Sequence, residues 1–246
     1  MEVAEEGGTL GTRAGLAEAL ASEQDHPAQA AGIRDRLALS GVSDGAVLLV
    51  TPCGDGALLA ALRGWYTVSG CDPYDARLRL ARRRLSGVPL WRSDRDDIVT
   101  EQAADVVVIR ELEAIAEGDL AQVFTAAVAV LAPGGLLLIL PSPTPDDLPV
   151  GTAMMDTHDG DGLKIVCSAV VRRSGRKARL ERHWMVARDG GGVEAFTERH
   201  TLHLHTPDTI EAALNAASFS ATHYPAPELY SGLLVAMGYT DDSTGA

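Results

Sequence analysis

Short apolar runs alternate with stretches of helical spacing through the first 140 residues of the chain. The run 105–110, DVVVIR, lacks polar alternation, as a parallel strand buried on both faces does. The stretch 120–131 carries apolar residues every three or four positions, which predicts a helix with one buried stripe. Further apolar runs predict strands at 46–50, 67–71, 88–92 and 136–140. This alternation predicts a parallel sheet with helices on both faces.

The pattern changes after Pro149. Longer strands separated by glycine turns, typical of an antiparallel meander, are predicted at 164–171, 179–187 and 194–204. A helix should then begin with Thr206 as its N-cap and Pro207 at its first position, and short strands follow at 222–224 and 233–237. The predicted fold class is α/β: a doubly wound, mostly parallel seven-stranded sheet with an inserted antiparallel sheet.

The same patterns predict how the chain divides. We expect an N-terminal helical segment (1–44), an α/β core that binds a cofactor (45–149) and an inserted antiparallel sheet that acts as a substrate module or lid (150–205). A closing helix and strands (206–239) should complete the core, and the polar tail (240–246) is predicted to be disordered.

Composition narrows the class of protein. The 246 residues are 46% hydrophobic and carry a formal net charge of −13, which opposes nonspecific binding to nucleic acid because a polyanion needs a broad cationic face. No apolar run approaches the ~20 residues of a membrane helix. The three cysteines show no framework spacing and the N-terminus is acidic rather than signal-like. These features predict a cytoplasmic protein with no nucleic-acid or membrane partner.

The stretch 46–56, AVLLVTPCGDG, is the strongest candidate for a ligand site. An apolar strand that ends in a glycine turn and passes into a helix aims backbone N–H groups at a ligand above the strand. An ordinary tight turn would look the same. Asp72 and Asp94 favour the ligand interpretation because they follow two successive strands, although Asp94 also fits a solvated loop.

Two further groups of residues invite a chemical interpretation. The dense basic cluster comprises Arg172, Arg173, Arg176, Lys177, Arg179 and Arg182. It fits either a solvated hairpin or a site where Arg172, Arg176 and Arg179 bind the diphosphate of a substrate. The histidines at positions 200, 203 and 205 lack a recognisable ligand spacing, so we predict no metal site and favour core or interface roles for them.

Five sequence stretches resemble the class I S-adenosylmethionine-dependent methyltransferases, which implies a Rossmann-like methyltransferase fold. Four of them lie in the predicted core: VLLVTPCGDG, VSGCDPYDARLRLARRRL, RSDRDDI and LAPGGLLLIL. The fifth, VVRRSGRKARLERHWMVARDGGGVEAFTERHTLHLHTPDTIEAALNAASF, is similar to the inserted sheet and following helix of sugar-nucleotide N,N-dimethyltransferases from macrolide aminosugar pathways. The resemblance covers roughly 42–238.

This resemblance implies a donor site for S-adenosylmethionine at the carboxyl ends of the first strands. The glycines of the turn would let the backbone approach the methionine and ribose parts of the donor. Asp72 would bind the ribose hydroxyls, Asp94 and the N–H of Arg95 would lie near the adenine, and Arg110 and Glu111 would face the transferring methyl group. The implied cofactor-binding set is Pro52, Cys53, Gly54, Gly56, Asp72, Pro73, Asp94, Arg95 and Arg110.

Methyl transfer to an amine needs alignment and a group that accepts or relays a proton. The candidates are Glu111, Glu113 and His158, in that order, and each of them has an ordinary structural role as its alternative. The first motif departs from the family at two positions. Val50 stands where an acidic residue is usual, and Pro52, which has no N–H, stands where glycine is usual.

The leading hypothesis is a methyltransferase acting on a small molecule, with an amino group of a nucleotide-linked or glycosidic sugar in secondary metabolism as the favoured acceptor. Two alternatives keep the fold and change the role. One is a cyclase or isomerase, and the other is a non-catalytic partner of an active homologue in a natural-product pathway. We also predict that a homodimer could form through the inserted sheet.

Overall fold

The computed structural model describes residues 13–21, 26–100, 102–140, 142–145, 151, 153–160, 162–224 and 233–238. The helices are α1 (Arg13–Ala21), α2 (His26–Leu39), α3 (Ala57–Leu62), α4 (Asp75–Arg84), α5 (Leu120–Ala129) and α6 (Pro207–Ala216). The strands are β1 (Val47–Thr51), β2 (Thr67–Asp72), β3 (Leu90–Arg92), β4 (Ala104–Ile109), β5 (Leu131–Ile139), β6 (Ala153–Gly160), β7 (Leu163–Ser174), β8 (Lys177–Arg188), β9 (Val193–His203), β10 (Phe219–Tyr224) and β11 (Leu233–Gly238). The elements fall into two compact units.

The larger unit, within 25–142 and 205–246, holds a seven-stranded sheet in the order β10-β11-β5-β4-β1-β2-β3. Strands β1 to β5 are parallel, and β10 and β11 add an antiparallel edge. The predicted α/β fold class, with its mostly parallel seven-stranded sheet, is confirmed. Because β1 lies between β2 and β4, the carboxyl ends of these three strands meet at the point where the strand order reverses, where ligands bind in such sheets.

Side chains that alternate along β1 enter two apolar cores, one on each face of the sheet. Leu48 and Val50 pack with Ile33 of α2 and with residues of α3, whereas Leu49 packs with Phe124 of α5. Val50 is fully buried. Position 50, where the resemblance implies an acidic residue, is therefore part of an apolar core in this chain.

Two element boundaries differ from the sequence predictions. The helix α5 ends at Ala129 rather than at Pro133, and β5 already begins at Leu131. Regular pairing with β4 resumes only at Leu136, so the Pro-Gly-Gly stretch forms an irregularity inside the strand, with Gly134 at a φ of 75°. Further along, Thr206 caps α6 as predicted, because its side chain accepts a hydrogen bond from the N–H of Thr209.

The smaller unit, within 1–24 and 143–204, holds the four-stranded antiparallel sheet β6-β7-β8-β9. The strand β6 was not predicted, because its residues are mostly exposed and give no apolar pattern. On one face, Leu16 of α1 packs with Ile165 and Trp184. The N-terminal segment predicted as one unit (1–44) thus divides, with α1 in the smaller unit and α2 in the larger.

The other face of this sheet exposes apolar side chains, among them Met185 (54% exposed) and Val193 (66% exposed). A homodimer through the sheet stays a prediction, as do the predicted domain roles.

The tail 240–246 lies outside the described residues. No helix among the described residues is both long and apolar enough to cross a membrane.

Gly70 of β2 lets the turn after β1 approach the sheet closely. A Cβ at this position would lie 2.7 Å from Cys53 Cβ and 2.7 Å from Leu59 Cδ1. We expect Gly70→Ala to lower the free energy of unfolding by about 1–3 kcal/mol through overpacking, as measured by urea denaturation. Gly64→Ala is the matched control, since nothing lies within 4 Å of its added Cβ. Equal stability of the two variants would contradict this close packing.

Candidate functional site

The turn between β1 and α3 has the geometry that its glycines predict. Gly54 and Gly56 adopt left-handed φ values of 62° and 79°. At Gly56 a Cβ would also lie 2.8 Å from Leu85 Cδ1, so a larger residue would be both strained and crowded. The N–H of Cys53 donates to the carbonyl of Cys71 at 2.8 Å, which ties the turn to the end of β2.

Asp72, at the carboxyl end of β2, joins this turn to the start of α4. Its side chain is fully buried, Oδ2 accepts from the N–H of Gly54 at 2.9 Å, and Oδ1 accepts from the N–H of Tyr74 at 2.8 Å. Burial raises the pKa of Asp72 even though these two N–H groups and the Arg77 guanidinium favour the charged form. The carboxylate therefore fixes the relative positions of two strand ends.

Glu111 follows β4 and holds two arginines together. Its Oε1 lies 3.0 Å from Arg77 Nη1, and its Oε2 lies 3.0 Å from Arg95 Nη2. Burial alone would raise the pKa of Glu111, but the Arg77, Arg110 and Arg95 charges outweigh burial and lower it. The residue has a φ of 55°, a left-handed conformation that costs about 1–3 kcal/mol in a residue other than glycine.

The segment after Glu111 is anchored at two points. Ser142 donates from Oγ to Glu113 Oε2 at 2.6 Å and accepts from the N–H of Glu113 at 3.0 Å. The buried His205 places Nε2 at 3.1 Å from the carbonyl of Leu112 and at 3.0 Å from that of Ile115, so this nitrogen carries the proton. These contacts hold the end of β4 in a fixed conformation.

Of the remaining core residues predicted for the site, Pro73 and Arg110 lie next to the residues described above. Pro73 follows Asp72 directly, and the N–H of Arg110 donates to the carbonyl of Thr51 beside the glycine turn at 2.9 Å. The Asp94 side chain is exposed, while its carbonyl accepts from the N–H of Asp97. Within the described ranges, no group of His, Cys, Asp or Glu is arranged to hold a metal ion.

Four predicted residues lie in the smaller unit instead. His158 is in β6, Arg172 and Arg179 are direct neighbours across β7 and β8, and Arg176 is in the turn between those strands. A depression of about 320 Å³ on this hairpin is lined by Arg172, Ser174, Lys177, Ala178, Arg179, Arg199, His200 and Thr201. Its lining carries four cationic side chains in an otherwise acidic chain.

Two arginines of the site do not stand out in the sequence. An arginine-rich face opposite the apolar stripe of α4 is typical of solvated positions, yet Arg77 pairs with Glu111 and Arg84 Nη1 lies 2.6 Å from Asp55 Oδ2. A signal was present in their spacing. The two arginines are seven positions apart, and each lies within one turn of the buried Ala81, at the margin of the apolar stripe.

Comparisons with known proteins show what this chain is similar to. A family model described as a methyltransferase domain matches residues 49–135. Over 194 residues the chain is 31% identical to the dTDP-4-amino-2,3,4,6-tetradeoxy-D-glucose N,N-dimethyltransferase of Saccharopolyspora spinosa, and the match covers 76% of this chain and 77% of that protein.

Two solved structures extend the likeness to the whole fold. The sugar N-methyltransferase KedS8 of a Streptoalloteichus species is 25% identical, with a TM-score of 0.82 and 97% of each chain covered. The amino pentose methyltransferase CalS10 of Micromonospora echinaspora, solved with S-adenosylmethionine bound, is 25% identical, with a TM-score of 0.79 and coverage of 93% of this chain and 98% of that one. The chain therefore belongs to the class I S-adenosylmethionine-dependent methyltransferases and, within them, to the family of the sugar-nucleotide N,N-dimethyltransferases.

Proposed function

We propose that this methyltransferase transfers methyl groups from S-adenosylmethionine to the amino group of a nucleotide-linked or glycosidic sugar. The observation that carries the proposal is the buried Asp72 carboxylate bonded to the N–H of Gly54, where the carboxyl ends of β1 and β2 meet. The relative in Saccharopolyspora spinosa is named for a dTDP-amino sugar, which supports the acceptor class.

The residues present fit the donor. At Gly54 the absent Cβ leaves the backbone open, with Arg110 Nη1 as the nearest atom, 3.5 Å from the Cβ position. S-adenosylmethionine, when bound, supplies a methyl group on a sulfonium. We assign its binding to the residues around the turn and the next two strand ends: Pro52, Cys53, Gly54, Gly56, Asp72, Pro73, Asp94, Arg95 and Arg110.

Glu111 and Glu113 differ in how well each could accept a proton from the amine. A general base works best when its pKa lies near the operating pH, and the arginine charges hold the pKa of Glu111 below its usual range. We therefore assign Glu111 to orienting Arg77 and Arg95. Glu113 and His158 remain the candidates that accept the amine proton, and Ser142 fixes the orientation of the Glu113 carboxylate.

The basic hairpin surface consists of Arg172, Lys177, Arg179 and Arg199. Its positive charge favours an acceptor that carries a nucleotide. Arg172 and Arg179 are exposed and lie directly opposite each other on neighbouring strands, so both guanidinium groups project from the same face. Forked guanidinium donors match the oxygens of a diphosphate. We assign diphosphate binding to this surface.

The direct test is turnover by the purified chain with S-adenosylmethionine and dTDP-linked 3-amino and 4-amino sugars, followed by mass spectrometry. We expect products that carry one and then two added methyl groups. Asp72→Asn should reduce donor affinity about tenfold or more, because its amide nitrogen cannot accept a hydrogen bond and leaves one buried N–H unpaired. Donor binding without turnover on any amine would favour a repurposed enzyme or a non-catalytic partner over the proposed function.

A second test addresses the basic hairpin surface. Arg172→Ala and Arg179→Ala should each raise the KM for the nucleotide sugar about tenfold through loss of a charge-assisted hydrogen bond, with the donor affinity unchanged. Arg188→Ala is the control, since this arginine lies in the same strand as Arg179 and pairs with Glu194 outside the basic hairpin surface. Equal KM values in all three variants would remove the diphosphate assignment.

A third test concerns Glu111. Because folding lowers the pKa of Glu111, its carboxylate stabilises the folded chain above the unfolded pKa, and this contribution is lost as the pH falls through the folded value. Glu111→Gln should lower the free energy of unfolding at pH 7 by about 1–3 kcal/mol and flatten its decline below pH 5. The exposed Glu211→Gln is the control. Superimposable pH profiles of wild type and Glu111→Gln, measured by urea denaturation, would contradict the paired role.

A further inference from the structure

The charged side chains around the glycine turn include more cations than anions. The guanidinium groups there belong to Arg77, Arg84, Arg95 and Arg110, and the carboxylates to Asp55, Asp72 and Glu111. Arg77 and Arg95 share Glu111, and Arg84 pairs with Asp55. In the part of the chain that the structure describes, the Arg110 guanidinium has no hydrogen bond and no ion pair. Counted over the described side chains, the site therefore carries one positive charge more than it has carboxylates.

The backbone fixes where this charge lies. The N–H of Arg110 donates to the carbonyl of Thr51, which places the residue beside the turn. Its Nη1 lies 3.5 Å from the position of a Cβ on Gly54. Burial and then the Arg110 charge lower the pKa of His26, so this imidazole favours its neutral form and adds no second positive charge beside Arg110. The guanidinium therefore faces the open backbone at Gly54.

The proposed donor site places the methionine part of the donor against this backbone. That part carries a carboxylate and an ammonium group, and an acidic residue at position 50 would favour the ammonium. In this chain position 50 is a valine buried in the apolar core, so the charge available at the turn is positive rather than negative. A guanidinium offers forked donors to a carboxylate and repels an ammonium.

We propose that the Arg110 guanidinium binds the α-carboxylate of the donor, so that this chain anchors its donor through an anion. The inference rests on the proposed donor site. It adds selectivity for ligands that carry the α-carboxylate, which the glycine turn alone would not give. A ligand that keeps the carboxylate should bind, and the same ligand without it should meet an unpaired guanidinium.

Isothermal titration calorimetry on the full chain tests this selectivity with S-adenosylmethionine and decarboxylated S-adenosylmethionine, which differ in that one group. The wild type should bind S-adenosylmethionine at least about tenfold more tightly. Arg110→Met should lose about tenfold to a hundredfold in affinity for S-adenosylmethionine and none for the decarboxylated ligand. Arg110→Lys, which keeps the charge without the fork, should fall between the two.

Arg83→Met is the matched control, because Arg83 is exposed on α4 and the same substitution removes the same charge outside the site. Thermal unfolding verifies that each variant folds. Loss of affinity for both ligands by the same factor, or for neither, would overturn the role of Arg110 and leave the proposed function standing. A wild-type chain that binds neither ligand would overturn the donor site and this inference together.

Discussion

The buried carboxylate of Asp72 is the constraint on which the site depends. A charged group without exposure to water must find hydrogen-bond donors, and Asp72 finds them in the N–H groups of Gly54 and Tyr74. One donor belongs to the turn after β1 and the other lies just before α4. Satisfying a single side chain therefore fixes the glycine turn, the end of β2 and the start of α4 relative to one another.

A second set of contacts extends this fixed geometry to β4. Glu111 reaches Arg77 on α4 and Arg95 after β3, while His205 and Ser142 hold the segment that follows Glu111. Side chains from three strand ends are thus oriented before any ligand arrives. Preorganisation of this kind favours methyl transfer, because an in-line displacement depends on the alignment of the reacting atoms.

Much of the larger unit could be predicted, because strands buried on both faces leave continuous apolar runs and helices leave a periodic stripe. The positions of the glycine turn and of Asp72 at two strand ends could also be predicted, since each follows such a run. The strand β6 was missed because exposed positions carry no pattern, and Pro133 suggested a helix end where the structure has an irregular strand. The burial of Asp72 and the pairing of Arg77 with Glu111 depend on residues distant in sequence, which no local pattern reports.

The central claim is that the donor binds where β1, β2 and β4 end. A crystal structure of the chain with S-adenosylhomocysteine tests this most directly. The account predicts the ligand against the backbone of Gly54, with its ribose beside Asp72 and the end of its amino-acid part toward Arg110. A ligand bound at another place on the chain, with the turn at Gly54 and Gly56 unoccupied, would contradict it.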